Sequence, residues 1–230
     1  MLILALDTTT RAGSVAVLRG DEVLYEHSGD PSLTHGQRLP GDLIKACAAA
    51  GVSIGDVQLF AVAAGPGSFT GLRIGIATMQ GLAMARDGRI VPVSTLEAIA
   101  AAAPGDTPRI AAWMDAQRGE VFAQVFERNG GEARPISGAM AAAPAVVLVQ
   151  HEQWLRGATF EGDGAVRYRQ DIERGTGEAV RIASDVPHLA AAIGRIAAAA
   201  PGRGVLPHAV VPVYVRRPDA EIARDRRAGA

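Results

Sequence analysis

Short apolar runs closed by a polar residue or glycine alternate along this chain with longer stretches whose apolar positions recur every three or four residues. The runs 2–6 (LILAL), 14–18 (SVAVL) and 22–26 (EVLYE) have strand length, and Arg19-Gly20-Asp21 has hairpin-turn composition. The opening therefore reads as a three-stranded meander with Asp7-Thr8-Thr9 at its first turn. From Gly36 to Ala50 the period lengthens: Leu39, Leu43 and Cys47 fall on one helical face, and Gly51 is a stop. Residues 57–63 (VQLFAVA) form a buried strand. A second helix is expected over 72–85, capped by Ser68 or Thr70 and rich in small residues. A strand at 90–93 and a helix at 95–103 follow.

PGDTP at 104–108 is the best boundary. Beyond it IAAWMDAQRGEVFAQVFE repeats the order strand, Asp, glycine turn, strand of LILALDTTTRAGSVAVL, with Asp115 in the place of Asp7. Further on, a strand is expected at 145–149, a helical stretch at 150–156, a Gly-Asp-Gly turn at 162–164 and an Ala-rich helix at 186–200. The tail after Val215 is charged and expected to fray.

Composition narrows the classes. Hydrophobic residues make up 48%, charged residues 20%, and the formal net charge is -1. That balance suits a globular chain without the basic footprint of a protein that grips nucleic acid unaided. One cysteine, Cys47, allows no internal disulfide and no Cys-rich zinc site. The start MLILAL is too short for a signal-peptide core, and no apolar run approaches the roughly 20 residues of a membrane span, so the expected location is cytoplasmic.

The segment AGPGSFTGLRIG (64–75) is the strongest local signal. Glycines between a strand and a helix can turn backbone amides toward an anion. Its spacing is neither that of a dinucleotide fingerprint nor that of a Walker loop, and Lys45, the only lysine, lies elsewhere. A tight packing turn and an anion cradle both remain open on these grounds. Ser68 fails as a nucleophile elbow because positions 66 and 70 are Pro and Thr. Of the five histidines none stands three or four residues from another, so no helix presents two to a metal. His35 reads as a cap or surface contact. Asp7 and Asp115 suit either a metal-bound phosphate held between two lobes or simple turn formation.

Asp7-Thr8-Thr9, GPGSFTGLRIG, VSTLEAIA (93–100) and MDAQRGEVF (114–122), in that order, closely resemble the bacterial TsaB (YeaZ) family of tRNA threonylcarbamoyladenosine biosynthesis. Weaker echoes are GDGAVRY at 162–168 and PVYVRRPDAE near the C-terminus. The resemblance implies an α/β, two-lobed fold of the actin, sugar kinase and heat-shock ATPase type, with duplicated ribonuclease H-like lobes and a reduced second lobe. The lobes would span 1–106 and 107–230, the last helix packing back across them. It further implies a non-catalytic scaffold that dimerises with its catalytic paralogue TsaD, joins the ATPase TsaE in a larger complex, meets tRNA only through that complex and forms a homodimer when alone. ATP or ADP would bind weakly or at the complex junction, with no metal. Residues 76–150 lack histidine, unlike the metal motif of TsaD-like relatives.

Under this resemblance the two first-lobe helices meet the partner, through Leu39, Leu43, Leu72, Arg73, Ile76, Met79 and Ala83. A charge at Met79 or Ala83 would then break the complex and leave the monomer folded. Asp7, Thr8, Thr9, Gly65, Gly67 and Asp115 would be vestigial phosphate loops. The competing readings are a small ATP-dependent phosphotransferase or ATPase of the same fold, and a glycoprotease-type metallopeptidase.

Overall fold

The computed structural model describes residues 1–177 and 180–216, so the charged tail expected to fray lies largely outside the described residues. Strands β1 (Leu2–Asp7), β2 (Ser14–Arg19) and β3 (Glu22–Ser28) form the antiparallel meander, and β4 (Leu59–Gly65) and β5 (Ile90–Ser94) add to it in parallel, in the order β3-β2-β1-β4-β5. The period of two in β1 sorts its side chains cleanly. Leu2, Leu4 and Leu6 face helices α1 (His35–Ala49) and α2 (Phe69–Met84), while Ile3 and Ala5 face the opposite layer, α3 (Thr95–Ala102) and α7 (Ala190–Ala199).

The second sheet repeats this plan. Strands β6 (Arg109–Asp115), β7 (Val121–Asn129) and β8 (Glu132–Pro135) are antiparallel neighbours. β10 (Thr159–Glu161) and β11 (Arg181–Ile182) extend the β6 side in parallel, giving β11-β10-β6-β7-β8, and β9 (Met140–Ala142) pairs with β7. The match between Asp7 and Asp115 is thus one point of a whole-lobe duplication: β6 stands for β1, β7 for β2 and β10 for β4. By the same correspondence the Gly162-Asp163-Gly164 turn after β10 is the counterpart of Gly65-Pro66-Gly67 after β4.

The layers stack as α1 and α2, first sheet, α3 and α7, second sheet, then α4 (Pro144–Leu155), α5 (Asp163–Arg167) and α6 (Arg169–Thr176). α7 comes after the second sheet in sequence but packs on the first: the Ala190 amide donates to Ser14 Oγ at 3.0 Å, and Gly194 rests against Leu18. From there the chain pairs Val205 with Ile90 and crosses α2, where Gln80 donates to the carbonyls of Pro207 and Val210. Val213 then donates to the Ala64 carbonyl at 2.7 Å, and Arg216 reaches Glu120 at 2.8 Å. The C-terminal segment is a strap from one lobe to the other.

Two local expectations are corrected. Residues 145–149 (AVVLV) are helical, not a strand. Pro144 starts α4, and Val147, Leu148, His151 and Leu155 form one buried stripe that overrides the β preference of a valine run. The last helix begins at Ala190 rather than 186, with Pro187 ahead of it.

Candidate functional site

All four glycines of AGPGSFTGLRIG face other parts of the protein. A β-carbon on Gly65 would overlap the Val213 carbonyl oxygen of the strap, and one on Gly67 the Thr9 side chain. On Gly71 it would strike the Thr8 carbonyl oxygen, and on Gly75 the Thr8 hydroxyl. Hydrogen bonds fill the same space. Thr8 Oγ1 donates to the Gly71 carbonyl at 2.8 Å, and the Ser68 amide donates to the Thr9 carbonyl at 2.9 Å. Ser68 caps α2 by accepting from the Gly71 amide at 3.2 Å. Gly65 has φ of 117°, a backbone state that side chains resist. The turn is a clasp on the Thr8-Thr9 loop.

Asp7 faces the other way, into a cavity of about 200 Å3 between the lobes. Thr10, Gly13 and Ser14 of the first lobe line it together with Met114, Gly162 and Asp163 of the second, and α3 contributes Ile99. Asp7 is 3% exposed. Its Oδ1 accepts from the Thr9 amide at 2.8 Å and the Thr9 hydroxyl at 2.6 Å. Burial pushes its carboxyl above the usual aspartate range, against the pull of the Thr9 hydrogen bonds, His35 and Arg38. Asp163 is raised as well, first by burial and then by the negative charges of Asp115 and Asp7, while the Asp115 amide donating to its Oδ1 at 3.0 Å opposes the shift.

A buried bracket beneath holds the Asp7 loop. The Arg38 guanidinium binds the Ala12 carbonyl, the Arg11 carbonyl at 3.3 Å and Asp42. It also donates to His35 Nδ1 at 2.9 Å, so the proton of that ring sits on Nε2 and points to the Thr10 carbonyl, 2.9 Å away. Burial, aided by Arg38, holds His35 below the usual histidine range. His35 is thus an inner brace of the loop rather than a cap or surface contact.

The structure separates the residues expected to act together. Asp115 does not line the cavity. Its carboxylate accepts from the Gln117 amide and side chain and pairs with Arg167 at 3.4 Å. The carboxylate that reaches the cavity from the second lobe is Asp163, and the sequence signal for it was the Gly-Asp-Gly turn. The apolar patch expected at the partner surface is corrected too. Leu39, Leu43, Leu72, Ile76, Met79 and Ala83 are all buried within the chain, none more than 4% exposed. They pack inward because they form the one apolar stripe each helix can offer its own sheet. Arg73 alone of that set is exposed, lying 3.9 Å over the Phe69 ring and donating to the Tyr214 hydroxyl at 3.3 Å.

A nucleotide phosphate fits this arrangement poorly. The glycine turn is packed on the Thr8-Thr9 loop, and neither lysine nor arginine lines the cavity. Among the described residues no three of His, Cys, Asp and Glu stand close enough to hold a metal ion.

Comparison with known proteins gives the same family as the motifs. The sequence family described as "TsaD: tRNA N6-adenosine threonylcarbamoyltransferase" matches over residues 30–200. The tRNA threonylcarbamoyladenosine biosynthesis protein TsaB of Escherichia coli K12 is 38% identical over 131 residues, 56% of this chain and 56% of that one. The match thus spans little more than half the length of that curated relative. The solved structure of YeaZ from Pseudomonas aeruginosa is similar over 93% of this chain and 99% of that one, at 34% identity and a TM-score of 0.79. An activator of 2-hydroxyisocaproyl-CoA dehydratase from Clostridium difficile, at 13% identity and a TM-score of 0.50, shares the two-lobed fold alone. Motifs, duplicated lobes and near-complete structural overlap converge, and the chain belongs to the TsaB (YeaZ) family.

Proposed function

We propose that this chain is a non-catalytic partner subunit that supports threonylcarbamoyl transfer to tRNA by a TsaD-type paralogue. The observation that carries the reading is the closed glycine turn. The side-chain faces of its glycines are packed against Thr8, Thr9 and Val213, and the Ser68 and Gly71 amides are already bonded within the chain. What the turn does is to fix the start of α2. The lack of lysine or arginine in the adjacent cavity weighs against the ATPase and phosphotransferase reading in the same way.

The pairing surface is the outward face of the helix pair. Pro40, Ile44 and Ala48 of α1 are exposed, as are Arg73, Ala77, Gly81 and Met84 of α2. Ile44 is 63% and Met84 66% exposed, and they add large apolar surface to this face. Small residues at 77 and 81 let a second helix come close. The same face would serve a homodimer in the absence of the partner, and TsaE and tRNA would be met through the assembled complex.

Co-expression with TsaD tests this. Ala77→Glu and Ile44→Glu should leave the isolated chain folded and abolish co-purification. Retention of the complex by both variants would sink the proposed surface, and ATP turnover by the purified chain, lost in Asp7→Ala, would overturn the scaffold reading.

A further inference from the structure

The inter-lobe cavity is built for the opposite charge from the one its fold would suggest. Two carboxylates enter it from opposite lobes, Asp7 at the end of β1 and Asp163 in the turn after β10. Asp7 satisfies only one oxygen: both hydrogen bonds from Thr9 go to Oδ1, and among the described residues none reaches Oδ2. The nearby cations are committed elsewhere. Arg38 is tied to Ala12, Arg11 and Asp42, and Arg167 to Asp115. His35 donates to the Thr10 carbonyl on the far side of the loop. His188, at the rim, is the one ionisable group of basic character among the lining residues. Buried negative charge without a partner is costly and is relieved by a cation. The lining also carries apolar side chains, Ile99, Met114, Pro187 and Leu189, beside the hydroxyls of Thr10, Ser14 and Ser28.

We propose that this cavity binds a small organic cation, an alkylammonium or guanidinium compound whose charged group lies between Asp7 and Asp163 and whose carbon body lies against Ile99, Met114 and Leu189. Its volume sets the size. A dry cavity of about 150 Å3 accepts benzene, so one of about 200 Å3 suits roughly six to eight non-hydrogen atoms. Two carboxylates and the lack of lysine or arginine among the lining residues disfavour a phosphate there. A bound cation would favour the ionised carboxylates of Asp7 and Asp163, which burial disfavours, so affinity should fall as the solution is acidified. The groups that bear on this titration are Asp7 and Asp163 themselves, Asp115 beside Asp163, His35 and Arg38 behind Asp7, and His188 at the rim. The inference stands apart from the pairing reading, since it concerns the interior of the single chain.

Calorimetric titration of the full chain with n-butylammonium, putrescine, 1-butanol and magnesium ADP tests it. Both amines should bind at neutral pH, 1-butanol at least tenfold more weakly, and the amine affinity should drop at mildly acidic pH. Asp163→Asn, checked for folding by its own melting curve, should lose at least tenfold in amine affinity. Equal binding of 1-butanol, unchanged amine affinity in Asp163→Asn, or absence of amine binding up to about 10 mM would each overturn the proposal. So would binding of magnesium ADP that the amines cannot displace and Asp163→Asn abolishes.

Discussion

Thr8 and Gly71 stand 63 residues apart in sequence and 2.8 Å apart in space, the threonine hydroxyl donating to the glycine carbonyl. The contact is possible because Gly71 has no side chain: its missing β-carbon is where the Thr8 carbonyl oxygen lies. Gly75, one turn on, leaves room for the Thr8 hydroxyl itself. One loop of β1–β2 is thereby locked to the helix that starts after β4.

An order of stabilities follows for alanine substitutions along α2. At Gly71 the obstruction is backbone and cannot give, so Gly71→Ala should cost about 1–3 kcal/mol or more. At Gly75 the obstruction is a hydroxyl that can rotate away at the loss of its hydrogen bond, so the cost should be smaller, about 1 kcal/mol. Gly81 faces open space, and Gly81→Ala should stabilise the isolated chain by about 0.5–1 kcal/mol. Urea unfolding of the three variants decides it. Equal effects at 71 and 81 would contradict the clasp.

The same helix separates its two faces by charge tolerance. Met79 and Ala83 are fully buried against the first sheet, so Met79→Glu should unfold the chain or cost on the order of 3–5 kcal/mol. Ala77→Glu, on the exposed face, should change the melting of the isolated chain very little. A folded Met79→Glu with native melting would show that the inner face has been assigned to the wrong side.

How far these positions could be read from sequence depends on how many neighbours decide them. β1 and β2 were legible because Leu2 to Leu6 and Val15 to Leu18 are apolar on both faces and end at Asp7 and Arg19. Residues 145–149 misled because a valine run carries a strand preference, whereas the stripe through His151 and Leu155 that fixes α4 lies outside that window. β10, only Thr159 to Glu161, is too short to announce itself, and so the turn that carries Asp163 stood without a strand in front of it. On α1 and α2 the period revealed one apolar stripe each, and a stripe cannot say whether a sheet or a partner covers it. Here the chain's own sheet does, and the partner candidates are left among the small and exposed positions.

Acid should act on the cavity carboxylates in an unusual direction. Asp7 and Asp163 both have carboxyls raised on folding, so between the unfolded aspartate pKa and their own higher values the folded state holds more protons. Their ionisation therefore opposes folding at neutral pH, and that opposition fades as the pH falls through the raised values. Asp163→Asn keeps an acceptor for the Asp115 amide and removes the charge. It should be at least as stable as the parent at neutral pH, with the difference closing toward the unfolded aspartate range. Paired urea titrations across that window measure this, and a variant less stable at neutral pH would show that the Asp163 charge is compensated in the folded chain.

Arg38 should be among the costliest polar residues to remove. It is 8% exposed, braces the Ala12 and Arg11 carbonyls, orients His35 and pairs with Asp42, to which His27 also comes within 3.5 Å. Arg38→Met leaves the half-buried Asp42 carboxylate and two carbonyls without their donor, an effect of about 2–4 kcal/mol. Arg38→Lys should recover little, since one ammonium cannot span the positions that the planar fork covers. Hydrogen exchange should show the damage at residues 8–13, and full protection there in Arg38→Met would refute the bracket.

The strap offers a test that separates local from global stability. Arg216 binds the Ala116 carbonyl at 2.9 Å and Glu120 at 2.8 Å, yet both side chains are partly exposed, so the ion pair should add no more than about 1 kcal/mol to the whole. Its consequence is topological. Between Gln80, which grips Pro207 and Val210, and Arg216, the strap is held by the Val213 amide on Ala64 and by Tyr214, whose ring stacks on Phe69 at 5.3 Å. Freeing its far end should let that stretch open without unfolding either sheet. Arg216→Ala is therefore expected to raise exchange at the Val213 amide by no more than about fivefold, the equivalent of about 1 kcal/mol, with a loss of global stability no larger than that. Tyr214→Ala should do the same from the position next to Val213. If the opening free energy at the Val213 amide of the parent chain equals its global unfolding free energy in urea, the strap unfolds only with the lobes and is part of their core.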